Sequence, residues 1–275
     1  MMKTNQDSSL AAPTASAKFV VSGLRHSFIA EGGSSVAVLA DISFSVRPFE
    51  FVAVVGPSGC GKSTLLNIMS GLMAPEKGSV TLDGRRLQGI TPRIGYISQS
   101  DSLLPWRTAL ANVELGMELR GVPKAERRER AMELIRQADL LGFENAYPYQ
   151  LSGGMRKRVD IIKILAMDPE IIFMDEPFAS LDIFTREMLQ AYILSLWQAT
   201  QRTVLFITHD LTEAITLSDR VIILTRRPAL VKAEHSVPLP RPRTPAALRF
   251  DPTFITLHKR IWDDLQDEVQ ERQHS

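Results

Sequence analysis

The chain has 275 residues, 44% hydrophobic and 23% charged, and its 32 lysines and arginines nearly balance 31 aspartates and glutamates for a formal net charge of +1. These values lie near globular averages and exclude a disordered or collagen-like chain, and the charge balance leaves no global field to draw in nucleic acid or an acidic membrane. The length allows one domain or two. Cys60 is the only cysteine, so no internal disulfide can form and a secreted disulfide scaffold is excluded; a reducing compartment is compatible. No uninterrupted apolar run reaches roughly 18 residues, so no candidate bilayer span is present.

Residues 1–17, MMKTNQDSSLAAPTASA, lack a charged n-region and a long apolar core and read as a flexible polar leader rather than a signal peptide. Within DISFSV (41–46), Ile42, Phe44 and Val46 alternate with Ser43 and Ser45, the pattern of a half-buried strand. FVAVV (51–55) is apolar throughout and ends in glycine, as a parallel strand buried on both faces would. From Lys62 to Ser70 the pattern turns helical, with Leu65, Leu66, Ile68 and Met69 packing and Gly71 stopping the run.

Between about 100 and 165 helical patterns take over, including 124–141, where Ala131, Leu134, Ile135, Ala138 and Leu141 are predicted to share a face. This stretch reads as a helical subdomain inserted into a sheet domain. EIIFM (170–174), TVLFI (203–207) and RVIIL (220–224) are further short apolar runs, separated by helical segments near 183–198 and 210–217. Such alternation argues for a parallel α/β sheet. After Val237, the prolines of PLPRPRTP favour an extended connector before a terminal helix near 254–271, and no solenoid-type repeat is found.

Residues 56–64 read GPSGCGKST, matching G-x-x-x-x-G-K-[ST] between a predicted strand and a predicted helix. The loop comprises Gly56, Pro57, Ser58, Gly59, Cys60, Gly61, Lys62, Ser63 and Thr64. Its glycines let the backbone wrap closely and aim N–H groups at phosphate oxygens, and the helix N-terminus adds a favourable dipole. Lys62 is the candidate for the β- and γ-phosphates and Ser63 for Mg²⁺. Two acids close the run IIFMDEP (171–177). Asp175 is the candidate for organising Mg²⁺ and Glu176 for polarising the attacking water. Taken alone, acids at a strand exit could equally be helix N-terminal charges.

With LSGGM (151–155) added to these motifs, the chain resembles the ATP-hydrolysing subunits of ABC transporters. Gly153 and Gly154 open a second anion-binding helix start, and Ser152 offers a hydroxyl. The resemblance, over about residues 18–237, implies an α/β fold: a P-loop NTPase (RecA-like) core with an inserted α-helical subdomain (about 100–165) and an antiparallel β portion. Residues 238–275 are then a C-terminal extension. It further implies a head-to-tail homodimer sandwiching each ATP between one subunit's phosphate loop and the other's LSGGM. Gln99 in YISQS matches the Q-loop glutamine, which contacts Mg²⁺ or water. Asp182 in ASLD matches the D-loop aspartate at the dimer seam, and His209 in FITHD the switch histidine that contacts the γ-phosphate. Phe28 falls where a tyrosine commonly stacks on adenine; a core phenylalanine is the alternative.

The pattern departs from the family after LSGGM, where the run usually reads arginine-valine-alanine-isoleucine-alanine-arginine. Here Arg158 and Val159 lead to Asp160, Ile161, Ile162 and Lys163. Asp160 is expected to pair with Arg156, Lys157 or Lys163 on an exposed face, worth a few tenths of a kcal/mol. Phe49 replaces the glycine usual before Glu50. Pro105, Trp106, Arg107 and Thr108 resemble an element of the nitrate, sulfonate and taurine importers, with Trp106 read as a permease anchor or as subdomain core. KAERRER (124–130) reads as a solvated helix face.

The implied function is ATP hydrolysis driving uptake of a small anionic solute through a separate integral membrane permease. A periplasmic or extracellular solute-binding protein is involved indirectly, nucleic acid is not, and the chain sits peripherally on the cytoplasmic face of the membrane. The rival reading is a soluble ABC ATPase acting on nucleic acid or ribosomes. Such proteins usually carry a long coiled-coil insertion or two fused cassettes, and neither pattern is found here.

Overall fold

The computed structural model describes residues 17–30, 32–179 and 181–270. The leader expected over residues 1–17 lies, apart from Ala17, outside them. In chain order the strands are β1 (Phe19–Ile29), β2 (Ser35–Val46), β3 (Phe51–Val55), β4 (Lys77–Leu82), β5 (Arg85–Arg86), β6 (Ile94–Ile97), β7 (Ile171–Asp175), β8 (Thr203–Ile207), β9 (Arg220–Leu224) and β10 (Ala229–Ser236). The helices are α1 (Lys62–Met69), α2 (Ala109–Leu119), α3 (Lys124–Gln137), α4 (Gly153–Leu165), α5 (Ile183–Thr200), α6 (Leu211–Leu217), α7 (Pro245–Leu248) and α8 (Pro252–Gln270).

The strands form one sheet in the order β5-β4-β1-β2-β10-β9-β3-β8-β7-β6. From β9 to β6 every neighbouring pair is parallel, whereas β5, β4, β1 and β2 make an antiparallel arm. β10 joins the two parts, lying antiparallel to β9 and briefly parallel to β2. The sequence patterns left β1, β4, β5 and β10 without an assignment. β10 is partly buried along most of its length and lacks the apolar run that marks the central strands.

β3 sits at the centre because both of its faces are apolar. Phe51, Ala53 and Val55 enter a core shared with α5, α6 and α8, while Val52 and Val54 enter one shared with α1 and the antiparallel arm. A third core, including Val113, Met117, Ala131, Ile135, Val159 and Ile162, holds α2, α3 and α4 together as the helical insertion. One expectation is corrected here: α3 ends at Gln137, and Leu141 is 54% exposed. Asp139 turns into the left-handed region (φ 57°), so the helical periodicity stops and Leu140 takes the buried place instead.

The terminal helix α8 is anchored rather than free. Asp251 Oδ1 caps it by accepting from the amides of Thr253 (2.7 Å) and Phe254 (3.1 Å). Phe254, Leu257, Ile261 and Leu265 form an apolar stripe at helical spacing, buried in the same core as β3 and α6. Ahead of it, the buried Arg243 donates to the carbonyls of Ile215 (3.2 Å), Thr216 (3.3 Å) and Ser218 (2.6 Å), and also to Val237 and Leu239. It thereby satisfies the orphan carbonyls at the end of α6.

Candidate active site

The phosphate loop connects the end of β3 to α1. Gly61 has φ 117°, and a Cβ there would lie 2.7 Å from Val38 Cγ1 of β2. A Cβ on Gly56 would meet Cys60 Sγ at 3.0 Å and Leu224 O at 3.1 Å. Only glycine permits this close wrap. Lys62 is buried and donates from Nζ to the carbonyls of Gly56 (2.8 Å) and Pro57 (3.0 Å), which holds its ammonium inside the loop.

Strand order brings the predicted acids to this loop. Ser63 hydrogen-bonds the carboxylate of Asp175, whose pKa is raised by burial and partly restored by that bond. Tyr96 Oη lies 3.5 Å from Asp175 Oδ2, and burial pushes its phenol up to about 12, so it remains a neutral donor. Glu176 follows in the left-handed region (φ 42°), a strained conformation for a residue with a side chain, and its amide donates to Ile207 O at 3.0 Å. His209 Nδ1 stands 3.2 Å from Glu176 Oε2. Lys62, Ser63, Asp175, Glu176 and His209 thus form one continuous cluster at the C-terminal ends of parallel strands, where open α/β sheets bind ligands.

The residues present fit a magnesium nucleotide. A hydroxyl and a carboxylate adjoin a loop that offers backbone N–H groups and a buried lysine. Among the described residues no group of three or more His, Cys, Asp or Glu could hold a metal ion. Mg²⁺ characteristically takes one or two protein oxygens and completes its shell with substrate phosphates and water.

Ser152, Gly153 and Gly154 assemble a second group. Ser152 caps α4 by accepting from Met155 N at 3.3 Å. A Cβ on Gly154 would lie 2.5 Å from Thr185 Cγ2, so this helix start packs directly on the start of α5. There Asp182 caps α5, accepting from the amides of Phe184 and Thr185 at 3.1 Å each, and the bonds to Thr185 lower its pKa. Gln99 is exposed just past β6. Phe28 is 42% exposed on β1 and meets His26 edge-to-face at 4.9 Å, on the hairpin whose Val38 lines Gly61. It is not core.

Asp160 requires a correction. The sequence suggested an exposed helix charge, yet the side chain is fully buried, with Oδ1 accepting from Ser102 N (3.1 Å) and Ser102 Oγ (2.7 Å). The helical insertion folds the segment after β6 against that face of α4. Trp106, by contrast, is 71% exposed and so is not subdomain core. Its loop is shaped by the buried Asn112, whose Oδ1 accepts from Leu104 N (2.8 Å) and whose Nδ2 donates to the carbonyls of Leu104, Arg107 and Thr108. Sequence reasoning missed Asn112 and Tyr96. Asn112, a polar residue inside an apolar helix pattern, was the legible signal.

A glycine loop with a buried lysine, a serine–aspartate pair and a glutamate–histidine contact define a P-loop nucleoside triphosphatase. The family model described as ABC transporter matches residues 39–179. The chain is 48% identical over 86% of its length to an uncharacterized ABC transporter ATP-binding protein of Methanocaldococcus jannaschii, covering 87% of that protein. It is 41% identical over 83% of its length to the taurine import ATP-binding protein TauB of Pseudomonas entomophila, covering 90% of it. The ATP-binding cassette MJ0796, solved as a dimer bound to ADP and Pi, superposes with a TM-score of 0.69 at 32% identity, covering 80% of this chain and 98% of that one. The chain belongs to the ABC transporter family as an ATP-binding subunit, and it is an ATPase.

Proposed function

We propose that two copies of this chain bind two ATP molecules head to tail and that their hydrolysis drives import of a small sulfonate- or taurine-like anion, or nitrate, through a separate permease. In this reading residues 18–237 form the ATPase unit, the helices of about 100–165 face the permease, and the pair sits peripherally at the cytoplasmic face of the membrane. A solute-binding protein outside completes the system. The resemblance to taurine import ATP-binding proteins over most of the chain carries this reading. Two further observations support it: among the described residues no helix is long and apolar enough to cross a membrane, and Trp106 is presented on a loop that Asn112 holds rigid. An exposed, preorganised tryptophan is a low-entropy interface anchor.

The chemistry follows from the chain's own groups. Lys62 and the loop amides hold the β- and γ-phosphates, and Ser63 and Asp175 would hold Mg²⁺, which supplies charge neutralisation on those oxygens. Glu176 orients the attacking water and accepts its proton as the oxygen bonds to the γ-phosphorus and the bond from that phosphorus to the β–γ bridging oxygen breaks, releasing ADP and phosphate. His209, held against Glu176, completes the contact with the γ-phosphate. Ser152, Gly153 and Gly154, with Asp182 beside them, present the partner subunit with a second helix N-terminus for the same phosphates.

Purification of the tagged chain from gently solubilised cells, with mass spectrometry of what stays bound, tests the transport reading. A co-purifying polytopic membrane protein, depleted by Trp106→Ala, is the expected result. Recovery only from the soluble fraction, with nucleic acid or ribosomes, would overturn it.

A further inference from the structure

The departures after LSGGM converge in three dimensions. Lys157, Asp160 and Lys163 recur every third residue of α4, on one face, and all three are largely withdrawn from water. Lys157 donates from Nζ to Ser98 O (2.5 Å) and Gln99 O (3.2 Å). Lys163 donates to Ser102 O (2.6 Å) and Ser102 Oγ (2.9 Å). Asp160 lies between them, 3.9 Å from Lys157 Nζ and 3.7 Å from Lys163 Nζ, and accepts from both the amide and the hydroxyl of Ser102. One turn nearer the helix start, Arg156 Nε reaches Asp101 Oδ2 at 3.2 Å. The backbone of 98–102 is therefore gripped at both ends by charged groups of a single helix.

We propose that Lys157, Asp160 and Lys163 with Ser102 are positioning residues: an ionic latch that locks α4 to the segment carrying Gln99, so that Gln99 and Ser152 move as one body. This rests on the head-to-tail dimer reading. Ser152 lies at the start of the same helix, about 16 Å from the far end of the latch at 1.5 Å per residue, and a hydrogen-bonded helix transmits displacement over that length. Gln99 follows β6, whose Ile97 pairs with Met174 beside Asp175. The latch thus ties the surface offered to the partner's nucleotide to the strand end beside the subunit's own. Buried charges suit this role because removing one leaves the others unpaired, which fixes a single arrangement. An apolar seam would hold the helix without specifying its register.

The test uses the full chain carrying Glu176→Gln and reads ATP-driven dimerisation by sedimentation, alongside ATP affinity at concentrations where the chain is monomeric. Adding Lys163→Met should weaken dimerisation at least tenfold and lower the melting temperature, while the ATP affinity of the folded monomer stays close to the parent. Lys163→Arg, which keeps the charge, should restore dimerisation to within about twofold. Asp160→Asn keeps the volume and should follow Lys163→Met. Unchanged dimerisation in both uncharged variants, or a parallel loss of monomer ATP affinity, overturns the latch. If the Glu176→Gln parent stays monomeric with ATP, the dimer reading fails first and the latch falls with it.

Discussion

His209 Nδ1 stands 3.2 Å from Glu176 Oε2, a contact that joins the segment leaving β8 to the segment leaving β7. The parallel register of these strands, Asp175 opposite Ile207, delivers both side chains to one strand end. In the proposed mechanism this contact orients the carboxylate that would accept the water's proton. Glu176→Gln is expected to lower kcat by about 10²–10⁴, the usual range for a general base, with ATP binding retained. His209→Ala should lower kcat with KM for ATP little changed. Steady-state phosphate release checks both, and a Glu176→Gln enzyme with parental turnover removes Glu176 from the mechanism.

Glu213 of α6 is buried, accepts from Thr208 Oγ1 at 2.6 Å, and is raised by burial to about 7. Its folded pKa lies above the value of about 4.3 expected in the unfolded chain. The folded state therefore binds the proton more tightly: stability from the neutral form is complete below about pH 4.3 and is lost as pH rises through about 7. Glu213→Gln removes this dependence. Between pH 5 and pH 8 the variant should gain roughly 2–3 kcal/mol relative to the parent chain, measured by urea unfolding at each pH. A pH-independent difference between the two proteins would contradict the assignment.

Phe49 holds φ 62°, and its amide donates to Thr203 Oγ1 at 3.0 Å. The side chain is exposed while the backbone is in the region that favours glycine. Phe49→Gly should therefore stabilise the chain by about 0.5–1 kcal/mol, read as a rise in denaturation midpoint at constant slope. A lower midpoint would show that the ring contributes more than the backbone strain costs.

Arg243 satisfies the carbonyls that end α6 and is buried, with its pKa lowered to about 10 by desolvation. Arg243→Met leaves these acceptors without a donor and should cost about 2–4 kcal/mol. Arg243→Lys should recover only part, since an ammonium cannot match the spread of a guanidinium fork. Thermal unfolding of both variants is the check; equal stability of lysine and arginine would show that charge alone suffices.

Much of this arrangement was legible in the sequence because period and spacing are local properties. FVAVV declared a strand buried on both faces, and GPSGCGKST declared the turn and helix after it. β10 was not legible: its residues are half-covered by α8 and by β9, a consequence of tertiary packing that leaves no alternation to read. Asp160 misled for the same reason. A charge on a helix reads as exposed unless the segment that covers it, here Ser102, is known to fold back from about 60 residues away, since the hydrogen bond spans 58 positions. Leu141 failed for a local reason, the left-handed turn at Asp139.

Cys60 lies inside the phosphate loop, its side chain withdrawn from solvent and its thiol pKa raised by burial. The chain therefore carries a single sulfhydryl that is both shielded and held in its poorly nucleophilic form. The native protein is its own blank for thiol chemistry. A maleimide or nitroxide attached through a cysteine introduced at an exposed position, such as Tyr149 or Phe184, would report from that position alone while the loop stays closed.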